Sequence, residues 1–237
     1  MSGLKLAALY SFPAHELGFC GPKEKKTAKR LSNYLSGKKI SEKEIRKILQ
    51  DFKGAYSYYK LIAKSNNLLD PFDKRVVKAY WIGNKFLEKV KIDDLRQLIT
   101  KDFSKLEKAK KIPENSKPHH NFHVLIVGPV TKKVVLKGRL LDFCKISWGK
   151  IRSFKGNRIK VEYQPLSGEK KLRLGKPIKK EILWDKNLLS KIKRGDWISF
   201  HWNRAMEKLQ KKDVKNLKKY TKITLELLTE MKGRQIF

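Results

Sequence analysis

Residues 41 to 56 place Ile45, Ile48, Leu49, Phe52 and Tyr56 at helical spacing behind Ser41-Glu42-Lys43-Glu44, which has the form of a capping box. The pattern predicts one amphipathic helix. A second helix is expected through Val76, Val77, Tyr80 and Trp81, opened by Asp70-Pro71-Phe72-Asp73 with an acidic cap and a proline at the first helical position. Asp93 is placed to cap a third, with Leu95, Leu98, Ile99, Phe103 and Leu106 as its apolar face. Tyr56, Tyr58 and Tyr59 interleave with these apolar positions, so they read as core more readily than as a platform for stacking bases.

The period changes after KIPENSKP at residues 111–118, a stretch rich in proline and polar residues. Beyond it come short runs rich in valine and isoleucine: HVLIVGPV, KVVLKGRLLDF, KISWGKIRSFKGN, RIKVEYQPLSG, KKLRLG, EILW and DWISFHW. Such runs, separated by Gly, Pro and Asn, predict a small antiparallel sheet curled into a barrel of OB-like or SH3-like type. After His201 the helical period returns at Ala205, Leu209, Leu217, Tyr220, Thr224 and Leu228. The expected fold class is therefore α+β, with a helical N-terminal region over 1–115 and a small β-barrel with a C-terminal helix over 116–237. No internal repeat is visible.

Composition adds three constraints. The 237 residues are 40% hydrophobic, enough for a packed core. The two cysteines, Cys20 and Cys144, lie far apart in unlike contexts and form no disulfide framework, which fits a reducing compartment. The N-terminus lacks a basic leader with a small-residue cleavage site, and no apolar run approaches the roughly 20 residues of a membrane span. The expectation is a cytoplasmic protein without a membrane partner.

Charge is the strongest global signal: 57 basic and 23 acidic residues leave +34, a field that attracts polyanions and makes nucleic acid a candidate partner. Of the basic residues, 46 are lysines and 11 arginines, scattered along the chain. Arginine is the better fork for phosphate and base edges, so this excess reads first as a solvated surface.

Candidate chemistry is confined to few side chains. There is no CxxC, HExxH, glycine-rich phosphate loop or serine-elbow pattern, which leaves familiar hydrolase and nucleotide-dependent enzymes unsupported. The five histidines are His15, His119, His120, His123 and His201. Any transition-metal site must draw on these and the two cysteines. In PHHNFHVLIV, an extended chain would put His119, Asn121 and His123 on one face and His120 on the other. In SFPAHELGFCGP, His15 and Cys20 would share a loop bounded by proline and glycine.

From Cys144 to about residue 230 the chain resembles the small hydrogenase maturation chaperones of the HypC/HupF type. Cys144 and Gly149 match a Cys-x-x-x-x-Gly start, and Gly195, Asp196 and His201 match a Gly-Asp-x-x-x-x-His strand. Ala205 to Leu209 (AMEKL) and the helix after it match the family's C-terminal end. The resemblance implies an accessory protein that transiently holds iron bearing cyanide and carbon monoxide during nickel-iron hydrogenase assembly, which leans away from an enzyme without excluding one. Its implied partners are a maturation scaffold protein and the hydrogenase large-subunit precursor, with Cys144 and His201 holding the iron unit. A soft thiolate beside an imidazole suits a transferable iron fragment. The first half, through SFPAHELGFCGP and HHNFHV, is similar to an uncharacterised prokaryotic family and implies no activity. Two other readings stand beside this one: a nucleic-acid adaptor using exposed Trp148, Trp197 and Trp202, and a metal-dependent enzyme built from His119, His120, His123, His15 and Cys20.

Overall fold

The computed structural model describes residues 1–104, 112–128, 136, 138–168 and 171–233. The fold is α+β. Helix α1 (Gly3–Glu16) is apolar on nearly every side, and such a helix must be buried. It forms the centre of the helical half, packed against α2 (Lys25–Leu35), α3 (Glu42–Gln50) and α5 (Lys74–Trp81). The expected loop SFPAHELGFCGP is corrected here, because Ser11 to Glu16 belong to α1 and Pro13 lies inside it. Buried Leu9, Tyr10 and Ala14 hold the helix in place against the lost amide hydrogen bond, a loss of about 3 kcal/mol in an unsupported helix.

The stripe from Ile45 to Tyr56 spans two helices, not one. The chain breaks at Asp51, and Phe52 caps α4 (Lys53–Ser65). Asp73, not Asp70, caps α5 by accepting from the Arg75 amide at 2.8 Å. Asp70 is occupied by Arg46, whose guanidinium donates to both its carboxylate oxygens at 2.8 and 2.9 Å. Asp93 falls in the first turn of α6 (Ile92–Leu98), which Lys91 caps. Leu106 lies outside the described residues.

The largest departure is at HVLIV, expected as a strand. His120–Phe122 is a short helical turn (α7) that continues as a π-helical turn over His123–Val127. An apolar run buried on all sides carries no period to separate strand from helix. The His119 ring decides locally, capping α7 by accepting from the Asn121 amide at 3.1 Å. Residues 129–135 lie outside the described residues, and the end of KVVLKGRLLDF, also expected as a strand, is helical from Arg139. Helix α8 (Arg139–Cys144) then leads into the sheet.

The sheet comprises β1 (Ser147–Lys155), β2 (Arg158–Tyr163), β5 (Ile178–Leu183), β6 (Trp197–His201) and β7 (Arg204–Leu209), with β3 (Leu166–Ser167) and β4 (Arg173–Leu174) as a side hairpin. The strand order is β1–β2–β5–β7–β6, and β6 pairs back with β1. All pairs are antiparallel except β5 with β7, so the all-antiparallel expectation is corrected to a mixed five-stranded sheet. Alternating residues of β1, β2 and β6, among them Ile151, Ile159, Val161 and Phe200, form its apolar face. Ala205 and Leu209 sit on β7, and the terminal helix α9 begins only at Lys211 and runs to Gly233. One apolar cluster joins α1, α5, α7, β1, β7 and α9 across residue 115, giving the helical and sheet halves a shared core. No helix among the described residues is long and apolar enough to cross a membrane.

Candidate metal centre

Three chain segments converge on one point between the helices and the sheet. The β6–β7 hairpin turns through Trp202 and Asn203, both at positive φ (48° and 59°), the backbone a two-residue hairpin with the right twist requires. Tryptophan seldom adopts that conformation. It is held there by its amide, which donates to the Phe143 carbonyl at 2.9 Å, and by stacking of its ring on Phe19 at 4.2 Å. Pinning the hairpin tip to residue 143 brings His201, the last residue of β6, beside Cys144.

Asn121 fixes the third segment. Its side-chain oxygen accepts from the Ile146 amide at 2.8 Å, and its nitrogen donates to the Thr221 hydroxyl at 2.8 Å and the Ile146 carbonyl at 3.3 Å. Fully buried, it ties α7 to the start of β1 and to α9. His120 is thereby set against Cys144, whose carbonyl accepts from its Nε2 at 3.0 Å. One donor atom from each of His120, Cys144 and His201 lies within 4.8 Å of the other two. Donors on a tetrahedral ion, at 2.0–2.3 Å from the metal, stand about 3.5 Å apart, so a contraction of roughly 1 Å would close the set.

The hydrogen bonds of the two rings differ. His201 donates from Nδ1 to the Tyr10 carbonyl at 2.9 Å, which leaves the Nε2 lone pair as its coordinating atom, the arrangement of a metal-ligating histidine. That Nε2 is buried and has no hydrogen-bond partner. An unpaired buried acceptor costs about 1–3 kcal/mol, which a ligand there would return. His120 donates from Nε2 to the Cys144 carbonyl, and its Nδ1 lies 3.2 Å from the Tyr80 hydroxyl, whose own proton goes to the Gly54 carbonyl at 2.8 Å; a neutral ring has one proton to give, so coordination through Nε2 would cost the bond to the Cys144 carbonyl.

Burial keeps the group neutral. Desolvation pushes His201 down to about 4 against the pull of the Tyr10 and Cys144 carbonyls, the second of which lies outside hydrogen-bond geometry. His120 is driven well below its ordinary value by desolvation and by the neighbouring His201 ring, at 5.1 Å between centroids. Desolvation, with a smaller contribution from Cys20, raises the Cys144 thiol well above its usual range, against a weaker pull from the Trp202 indole N–H, which lies outside hydrogen-bond geometry. A soft cation here would displace the thiol proton.

These groups line a cavity of about 110 Å³, walled by Tyr80 and Trp81 from α5 and by Phe19, Cys20 and Gly21 from the loop after α1. By the same measure one water needs roughly 10–15 Å³, so there is room for an ion with several small ligands. Gly21, at φ +88°, has no room for a side chain, because a Cβ would meet the Phe52 ring at 2.6 Å.

The other candidates fall into place. His123 lines the cavity one helical turn from His120, bonded to the Tyr58 hydroxyl at 3.3 Å. The same-face pair is thus His120 and His123, correcting the extended-chain pairing of His119 with His123. His119 lies outside the cavity, stacked on Tyr220. His15 does not line the cavity either; its Nδ1 binds the Cys20 carbonyl at 2.9 Å and shapes the loop, leaving Cys20 exposed at the rim. Gly149 sits within the β1 ladder, where a Cβ would lie 2.9 Å from the Glu162 carbonyl oxygen. Gly195 and Asp196 form the turn that launches β6, with Asp196 accepting from the Lys193 amide at 2.9 Å and pairing with Lys208 at 2.8 Å. Trp148 and Trp202 are buried and Trp197 half-buried, so the expected exposed aromatics are not there. Tyr80 and Trp81, read from sequence as plain core, are cavity walls. Only the sequence separation of three between His120 and His123, read as helical, could have signalled their side of the site.

The fold and site define an α+β protein with a histidine–cysteine–histidine group whose two histidines are buried and whose cysteine is half-buried. The chain belongs to a family of unknown function, DUF6390, whose pattern matches residues 1–235. No curated protein and no solved structure matches it. The whole-chain family agrees with the uncharacterised family expected for the first half. The HypC/HupF resemblance gains no support: ladder crowding and a turn account for Gly149, Gly195 and Asp196, and AMEKL is strand β7.

Proposed function

We propose that this protein holds and hands over a transition-metal centre, acting as an accessory factor in metal-centre assembly and not as an enzyme. The observation that carries the reading is the unpartnered, buried Nε2 of His201 facing a cavity it shares with Cys144 and His120. A thiolate and two imidazoles select iron, zinc, copper or nickel over magnesium or calcium. Three protein ligands leave a coordination position open, as release requires. His120 has a built-in alternative partner in the Cys144 carbonyl, so letting go of cargo leaves neither group unpaired. No carboxylate is among the described residues that line the cavity, and within a chain of +34 a bare divalent cation is disfavoured relative to one arriving with anionic ligands such as cyanide. A nickel-iron hydrogenase precursor is the client to test first.

Metal-free protein titrated anaerobically with Co(II) should develop a thiolate-to-cobalt charge-transfer band. Cys144→Ala should abolish the band, and His201→Ala should weaken binding at least tenfold. Unaltered cobalt affinity in both variants would sink the reading. Coexpression with a hydrogenase large-subunit precursor and its scaffold, followed by pulldown and infrared detection of cyanide and carbon monoxide bands, tests the client.

A further inference from the structure

A second concavity, of about 530 Å³, lies between the β3–β4 hairpin and α9. Its floor is apolar, made by Leu172, Leu174 and Leu225, and among the described residues its walls carry Lys171, Arg173, Lys218 and Lys222 against one acid, Glu226, which stands 3.6 Å from Lys222. The three lysines are exposed. The floor belongs to the apolar cluster of Val124, Leu125 and Leu225, against which Leu172, Leu174 and Cys144 all pack. Val124 and Cys144 also line the metal-site cavity. The cleft and the cavity are therefore two sides of one layer of side chains.

We infer that this cleft docks an acidic, leucine-bearing segment of a partner protein. Charge complementarity selects an acidic occupant, and the leucine floor selects one that also offers aliphatic side chains, as an amphipathic helix laid in a groove does. Nucleic acid answers the charge but not the floor. Single-stranded nucleic acid needs aromatic rings on which bases stack, and no aromatic residue is among the described residues lining the cleft. That the partner is the client receiving the metal rests on the reading above; the docking itself does not.

The test uses a fluorescent amphipathic peptide of glutamate and leucine, about three helical turns long. At roughly 0.1 M salt, the triple variant Lys171→Glu, Lys218→Glu, Lys222→Glu should lose at least tenfold in affinity. An equal charge change elsewhere, Lys38→Glu, Lys39→Glu, Lys43→Glu, should lose less than twofold. A triple lysine-to-glutamine variant at the cleft, checked for an unchanged melting temperature, guards against misfolding and should lose about threefold. Equal losses in the two glutamate variants would reduce the effect to net charge and overturn the inference. So would a single-stranded oligonucleotide of matching charge that the cleft variant loses by the same factor. Peptide binding should persist in Cys144→Ala, and the cobalt band should persist in the cleft variant, so either proposal can fail alone.

Discussion

The cavity around His201 and the surface around α9 both depress acid–base groups, by opposite means. Inside, burial strips charge: His201 and His123 fall to about 4 because the interior cannot solvate an imidazolium. Outside, partners hold charge. Burial alone would push Glu88 up, but donation from Lys219 at 2.6 Å, Tyr220 at 2.9 Å and Lys117 at 3.2 Å outweighs it and brings the carboxyl down to about 2. A chain of +34 has thus set a neutral, soft-donor pocket within a strongly cationic shell. Salt screens the shell and hardly reaches the pocket.

The comparison breaks most sharply at Asn121, which holds the neutral region together. Asn121→Ala orphans the Ile146 amide and the Thr221 hydroxyl in a dry interior. The expected cost is about 3 kcal/mol, or about 10 °C in melting temperature, nearly the same at low and high salt. Cobalt affinity should fall with it, because His120 and Cys144 are no longer held in register. Scanning calorimetry at two ionic strengths reads the first effect. A loss that shrinks with salt would contradict a dry, neutral site.

Glu88 sharpens the other side with a smaller effect. Its carboxyl is more acidic folded than unfolded, so it contributes stability above pH 4.5 that is lost as pH falls toward 2. The group is 40% exposed, and screening reduces the contribution to about 1 kcal/mol. Glu88→Gln should lower stability by that amount at pH 7, converge with the parent near pH 2, and show half the effect or less in 1 M salt. Urea unfolding across pH 2–7 measures it. A salt-independent difference would place Glu88 with the buried groups.

What the sequence reveals follows the same division. The stripes through Ile45, Ile48 and Leu49 and through Val76, Val77 and Tyr80 are legible because these helices face water on one side, and that contrast generates the period. Where burial is nearly complete the period vanishes: α1 is apolar on nearly every side, and Val124 to Val127, buried throughout, read equally well as a strand. The misread turn hides His120, since its side of the site depends on helical and not extended geometry. Cys144 and His201 are visible as chemistry-bearing residues, but their approach is set by the Trp202 amide reaching Phe143 and by Asn121 reaching Ile146. Those long-range bonds have no local pattern.

The central claim is that Cys144, His120 and His201 take one metal together. X-ray absorption at the zinc edge of Zn(II)-loaded protein tests it directly. One sulfur scatterer near 2.3 Å with two imidazole nitrogens at about 2.0–2.1 Å is the predicted shell. A shell of nitrogen and oxygen alone, unchanged in Cys144→Ala, would contradict it.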